Sequence, residues 1–272
     1  MLATLRVSAV GAMQKSSYDT DLTDAQWRLI ETLFPPRKTM GRPPTPLRSL
    51  LDAILYMVKG GCSWRLLPKT FPPWKTVYHR FRRWCQDGTW LLVNHALRAL
   101  VRTEDGREPE PSAAVLDSQT VRSDSHGGKV GYDAAKKTKG RKRFIIVDTL
   151  GLLLGVVVVP ANVPERIGAQ ELLAPLMPAL GRVRKLWVDG GYSGPDFAQW
   201  VCEQSPRIEV EVIKRSDDVQ GFKVLPKRWV VERTFGWLVK HRRLVRDYEK
   251  TECSAAGWIA IALTRVMLRR LA

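Results

Sequence analysis

The stretch FIIVDTLGLLLGVVVVP, residues 144–160, constrains the fold more than any other. Two apolar, β-branched runs flank Leu150 and Gly151 so closely that they must pair as an antiparallel hairpin. Around it lie further strand candidates: AAVLDSQTV at 113–121, RKLWVDGGYS at 184–193 and IEVEVIKR at 208–215. NVPERIGAQELLAPLMPAL and GPDFAQWVCEQ read as helices between them, the first bent late by Pro175 and Pro178. Two long helical segments, about 226–246 and about 252–270, end the chain, with Arg265, Arg269 and Arg270 on the outer side of the last. The order is β, ββ, α, β, α, β, α, α. Its early strands are antiparallel neighbours and its later ones are joined through helices. An α/β fold with a mixed sheet and helices on both faces is required. Neither GxGxxG nor GxxxxGK[ST] occurs, so no nucleotide cofactor is expected.

The first hundred residues have a different character. LTDAQWRLIETLFPP opens with a capping candidate at Thr23, and Pro35 and Pro36 stop its helical stripe. GRPPTPLR must run extended. Helices are expected over about 46–59, 73–86 and 89–101, with a short turn within KGGCSWRLLPKTFPPW after the first. This spacing looks like a helix-turn-helix. In WKTVYHRFRRW, Val77, Phe81 and Trp84 can face a core. Lys75, Tyr78, His79, Arg82 and Arg83 then form an outer face suited to a major groove. A three-helix bundle with a solvated basic face fits the same pattern. Arg42 in GRP resembles a minor-groove arm, with a plain linker as the alternative. RTEDGREPEPS, residues 102–112, reads as a linker between a helical DNA-binding domain at 18–101 and a second domain at 113–272.

Lys and Arg total 44 against 27 acids, a formal charge of +17, which calls for a polyanionic partner. Six of the cations fall in residues 136–143, within a stretch too polar and glycine-rich for a core. The four cysteines are far apart and form no zinc-like spacing, so a reduced cytoplasmic protein is expected. No apolar run is long enough to span a bilayer. Residues 1–14 fit a frayed extension ahead of a second start at Met13.

Asp117 and Asp189 each end an apolar strand, and Glu232 lies in a helix crowded with cations. If they converge, three carboxylates repel one another, and a hard divalent cation resolves the conflict. Two such ions, Mg²⁺ or Mn²⁺, would then activate water or a 3′-hydroxyl and stabilise the phosphate leaving group. The plainer readings make Asp117 and Asp189 caps or turn formers, and Glu232 a surface acid paired with Arg228. Asp133, Asp148 and Asp196 are local rivals. Asp148 favours the hairpin turn and Asp196 a helix start.

From about Leu22 to Glu249 the chain resembles a DDE transposase of the IS5 family of bacterial insertion sequences. The resemblance rests on GRPP, GCSWRLLP, WKTVYHRFRRW, LDSQTV, GYDAAKKTKGRKR, VDTLGLLLGV, WVDGGYSG and RWVVERTFGWLVKHRRLVRDYE. It implies a helix-turn-helix domain followed by a ribonuclease H-like domain whose triad is Asp117, Asp189 and Glu232. It also implies Mg²⁺, double-stranded DNA as partner (terminal inverted repeats and target), a homo-oligomeric synaptic complex, and a bacterial, nucleoid-associated setting. Lys136, Lys137, Lys139, Arg141, Lys142 and Arg143 would clamp DNA, with Arg228, Arg233, Lys240, Arg242, Arg243 and Arg246 holding phosphates near the acids. A nuclease of the same fold that never joins strands, and a non-catalytic DNA-binding regulator, are the alternatives. The chain departs from the family pattern at Leu225, where a tyrosine is common, and at Val239, where a basic residue is common and Lys240 follows. Phe144 stands in place of a histidine and Ala135 in place of a glycine.

Overall fold

A computed structural model describes residues 18–35, 44–123, 128–213 and 227–272. Arg42 and Leu225 lie outside them. Helix α1, Asp24–Ile30, starts on the expected cap: Thr23 and Gln26 bond reciprocally in a capping box. Helix α2, Leu47–Gly60, ends where Gly61 turns left-handed at φ 74°. A Cβ there would come within 2.9 Å of Arg242 Cβ, so glycine is required on space as well as conformation. A single 3₁₀ turn at Trp64–Leu66 precedes α3, Trp74–Gln86, and α4 runs from Thr89 to Glu104.

The sheet begins with β1, Ala113–Arg122, and β2, Gly131–Asp133. The hairpin then forms as expected: β3, Thr138–Asp148, and β4, Leu153–Pro160. Strand β3 pairs antiparallel with β1, β2 and β4, while β5, Lys185–Val188, runs parallel to both β1 and β6, Glu209–Val212. Helices α5, Glu165–Leu176, and α6, Pro195–Gln204, cover one face. Helices α7, Trp229–Val239, α8, Arg242–Val245, and α9, Glu252–Leu271, lie on the other. This is a ribonuclease H-like mixed sheet preceded by an all-helical region.

Strand alternation sorts the core. Ala114, Leu116, Phe144 and Ile146 pack toward α5 and α6. Val115, Ile145 and Val147 face α9, in an apolar core continuous with Phe81, Trp90 and Leu97 of the amino-terminal helices. Phe81 stacks on Trp258 with ring centroids 4.3 Å apart, and the Asn94 amide donates to Ala260 O at 2.8 Å and Thr264 Oγ1 at 2.7 Å. Helix α9 therefore joins the helical region to the sheet.

Three expectations change. Residues from Thr138 onward are not part of a polar loop but of β3, because β2 pairs with Thr138–Gly140 and β1 and β4 flank the strand beyond. The segment 226–246 is not one helix. It breaks after Val239, where His241 turns extended, and this lets Arg243 of α8 fold inward onto Cys62 O and Glu249. Arg265 does not face outward but lies buried, reaching the carbonyls of Asp19 and Thr20.

Asp148 holds the hairpin turn, accepting from the backbone N–H of Leu150 at 2.9 Å and Leu152 at 2.8 Å. Its other oxygen takes the Arg102 guanidinium at 2.5 Å, and both side chains are buried. Removing one member of such a pair leaves an uncompensated internal charge. Asp148→Ala will lower the unfolding free energy by about 3–5 kcal/mol, read from urea denaturation.

Candidate active site

Strand direction brings the acids together. Parallel pairing of β1 and β5 carries Asp117 and the residue after Val188, Asp189, to the same end of the sheet. Asp117 Oδ1 accepts from the Ser118 N–H at 2.7 Å. Asp189 Oδ1 caps the Gly190–Tyr192 turn, accepting from Gly191 N–H at 2.9 Å. Helix α7 then crosses this end of the sheet and presents Glu232. Lys227, just before it, has a left-handed φ of 71°, rare without glycine, with its ammonium 4.6 Å from the Trp187 ring centroid. That turn aims the next residue, Arg228, back at the sheet.

Arg228 Nη2 lies 3.3 Å from Asp117 Oδ2, 3.9 Å from Asp189 Oδ2 and 3.8 Å from Glu232 Oε1. One guanidinium thus gathers all three carboxylates. The side chains of Asp117 and Arg228 are 13% and 15% exposed, against 32% for Asp189 and 48% for Glu232, so the cluster opens outward from a buried base. Burial pushes the Asp117 carboxyl up to about 6; Arg228 and the Ser118 N–H oppose this, and Asp189 adds to it.

The plainer readings hold locally: Asp189 is a cap and Glu232 pairs with Arg228 four residues back. Convergence is superimposed on them. The donor set is all carboxylate oxygen, which suits a hard divalent cation. The spacing is set by a guanidinium, and among the described residues no group of three or more His, Cys, Asp or Glu is gathered closely enough to hold a metal ion. The rivals lie elsewhere. Asp133 accepts from Thr120 and the Lys136 N–H, Asp196 pairs with Arg166, and Asp148 serves its turn.

Residues 22–94 match a family model described as "Putative transposase of IS4/5 family", and residues 108–267 match "Transposase DDE domain". The second match covers more than half of the chain. The chain belongs to the DDE transposase family. It is also 30% identical over 118 residues to a Burkholderia cepacia protein named "Putative transposase for insertion sequence element IS402", which is 41% of this chain and 54% of that one. The chain therefore spans about half the length of that curated relative.

Within this DDE-family chain the cations expected to meet DNA divide into two groups. Lys75, His79, Arg82 and Arg83 line the exposed face of α3, with Tyr78 half-buried against Trp64. Lys136, Lys137, Lys139, Lys240, Arg242 and Arg246 are exposed as well. Arg141, Lys142, Arg143 and Arg243 are not; all four are buried. Arg141 bonds Asp247 at 3.1 Å and Glu249 O at 2.9 Å, and Arg143 reaches Leu244 O at 2.8 Å. Lys142 bonds Val163 O and Glu165, and Arg243 bonds Glu249 at 2.6 Å. These four cations are turned into the protein, onto partners within the chain. Arg233 is half-buried between Trp229 and Trp237, 4.4 and 4.8 Å from their ring centroids, and donates to Leu150 O.

Sequence reasoning missed Glu165, which bonds Ser118 Oγ at 2.7 Å, although an acid just after Pro164 at a helix start was a visible signal. It also missed Lys59. Lys59 donates to Lys240 O at 2.9 Å, and its pKa is lowered by burial first and then by Arg265, Arg269, Arg242 and Lys240. Cations from α2, the α7–α8 junction, α8 and α9 therefore crowd one region, which no single sequence window reveals.

The raised Asp117 pKa has a signed consequence. The unfolded carboxyl, near 3.8, ionises before the folded one, near 6, so stability is lost as pH rises through that window. Asp117→Asn cannot titrate. Its melting temperature will therefore gain on the parent's as pH climbs from about 4 to 6, then hold steady, in paired thermal melts. A pH-independent difference between the two would refute the assignment.

Proposed function

We propose that this chain is a DNA transposase that binds transposon ends and catalyses metal-dependent strand cleavage and transfer into target DNA. The observation that carries the reading is the meeting of Asp117, Asp189 and Glu232 on Arg228, in a chain matched to transposase models over both its helical and its sheet regions. Asp117, Asp189 and Glu232 would hold Mg²⁺, or Mn²⁺ in its place. When bound, such an ion supplies Lewis-acid stabilisation of the phosphate and a nucleophilic oxygen at neutral pH.

The chain's own residues supply the rest. Asp117 sits on a strand backed by the core, so its position is rigid where the others are more exposed. Arg228 partly offsets the charge of the acids when the site is empty of other cations, and the scissile phosphate would compete for the same guanidinium. The exposed face of α3 would enter a groove as the second element of a helix-turn-helix. Lys136, Lys137 and Lys139 beyond β2, and Lys59, Lys240, Arg242 and Arg269 near the α7–α8 junction, would grip phosphates on either side. Holding two DNA ends together implies a homo-oligomeric complex.

Two experiments bear on this. With Mg²⁺ and a DNA duplex carrying the inverted repeats that flank the gene, the parent chain will release 3′-hydroxyl ends and join them to a second duplex. Asp117→Asn, Asp189→Asn and Glu232→Gln will each lose roughly 1,000-fold or more in rate, about 4 kcal/mol of barrier, and still bind DNA. Hydrolysis without joining would point to a nuclease; unchanged function in Asp117→Asn would point to a regulator. Separately, Arg82→Ala or Arg83→Ala will each reduce the slope of log affinity against log salt by about 1 in fluorescence anisotropy titrations.

A further inference from the structure

The acid cluster on the α7 side of the sheet has a neighbour on the opposite side. Glu165 stands in the first turn of α5, directly after Pro164. Its Oε2 accepts from Ser118 Oγ at 2.7 Å, and Ser118 is the residue whose N–H donates to Asp117. Its Oε1 pairs at 3.1 Å with Lys142 Nζ, a lysine whose side chain is only 7% exposed. Gly191, which donates to Asp189, lies against the same acid: a Cβ at Gly191 would be 3.7 Å from Glu165 Cγ and 3.1 Å from Asp189 Oδ1. The one carboxylate thus abuts the backbone that positions Asp117 and the turn that positions Asp189.

A second side chain marks the same spot. Tyr192 is 1% exposed, and its phenol holds its proton firmly, first because of burial and then because of the negative charges of Glu165, Asp117 and Asp189. Tyr192 belongs to the apolar core on the α5 and α6 side, at the end of the turn that Asp189 caps. Lys142 alone would account for a single buried counter-charge. It does not account for the hydrogen bond to Ser118 or for the packing of Glu165 against the Gly191 turn.

We infer that Glu165 is a fourth acid of the site, a positioning residue that acts from the opposite face of the sheet, through Ser118 and the Gly190–Tyr192 turn, to set the affinity of Asp117 and Asp189 for a divalent cation. The inference rests on the metal-dependent reading above. Outer partners of ligating carboxylates commonly govern affinity in this way, because they fix the orientation of the ligand oxygens and add to the local negative potential.

The test uses the full chain without DNA, titrated with MnCl₂ and read by the electron paramagnetic resonance of free Mn²⁺. Glu165→Gln is expected to weaken Mn²⁺ binding by about 10- to 100-fold. Because that change strands the buried Lys142 charge, the double variant Lys142→Met/Glu165→Gln is measured beside it, with urea midpoints for all chains. Equal weakening in single and double variants supports the role. Parental affinity in the single variant overturns it. Recovery of parental affinity in the double variant also overturns it, since Glu165 would then serve only to neutralise Lys142. Asp117→Asn separates the two readings: if it and the parent bind Mn²⁺ alike, or the parent binds none, the metal site itself fails and this role falls with it. If Asp117→Asn abolishes binding while Glu165→Gln leaves it parental, only the role of Glu165 is lost.

Discussion

Like charge at the end of a sheet is the constraint on which the site depends. Strand direction carries Asp117 and Asp189 to one end of the sheet and α7 lays Glu232 over them, an arrangement that repels itself in a partly buried setting. Arg228 answers it with a single guanidinium in reach of all three acids. The compensation is incomplete, since burial still holds Asp117 near 6. Three carboxylates against one guanidinium are the electrostatic ground of the metal-dependent reading proposed above.

A second set of charges makes that geometry rigid. Arg141 to Asp247, Arg243 to Glu249, Arg143 to Leu244 O and Arg102 to Asp148 all lie inside the protein. Three of these cations tie β3 or α8 to the segment after α7, and the fourth ties α4 to the hairpin. Buried pairs of this kind contribute little net stability, because desolvation offsets their attraction, but they are costly to break and they fix register. The backbone ladder holds β3 beside β1, which carries Asp117, and Asp247, the partner of Arg141, also donates its N–H to Arg122 O at the end of β1.

Removing those cations from the surface clarifies the rest of the basic charge. The exposed cations include those on the outer face of α3, Lys136, Lys137 and Lys139 around the start of β3, and Lys59 and Lys240 with their neighbours. Helix α9 fixes these surfaces relative to the acids, since its apolar side packs against both the amino-terminal helices and the sheet. A duplex lying on α3 would therefore meet a site held at a set distance and not on a free tether.

Much of this was legible in the residues alone. The hairpin, the strands other than the short β2, the cap at Thr23 and the outer face of α3 all follow from periodicity, turn chemistry and caps, which act within a few residues; β2, only Gly131–Asp133, was hidden in a polar, glycine-rich stretch. The three acids were legible as candidates because an apolar run precedes Asp117 and Asp189 and cations surround Glu232, although Asp117 does not end its strand: β1 continues past it to Arg122 on the ladder with β3. Burial of Arg141, Lys142, Arg143 and Arg243 was not, because a lysine or arginine reads as exposed until its distant partner is known: Asp247 lies 106 residues from Arg141. The break between α7 and α8 was hidden for the same reason, since Arg243 turns inward toward Cys62, 181 residues away. Local sequence determined which elements form and which residues are chemically able. Only the tertiary structure decided which charges face one another, because electrostatic pairing depends on distance in space and a chain of 272 residues offers each cation many partners.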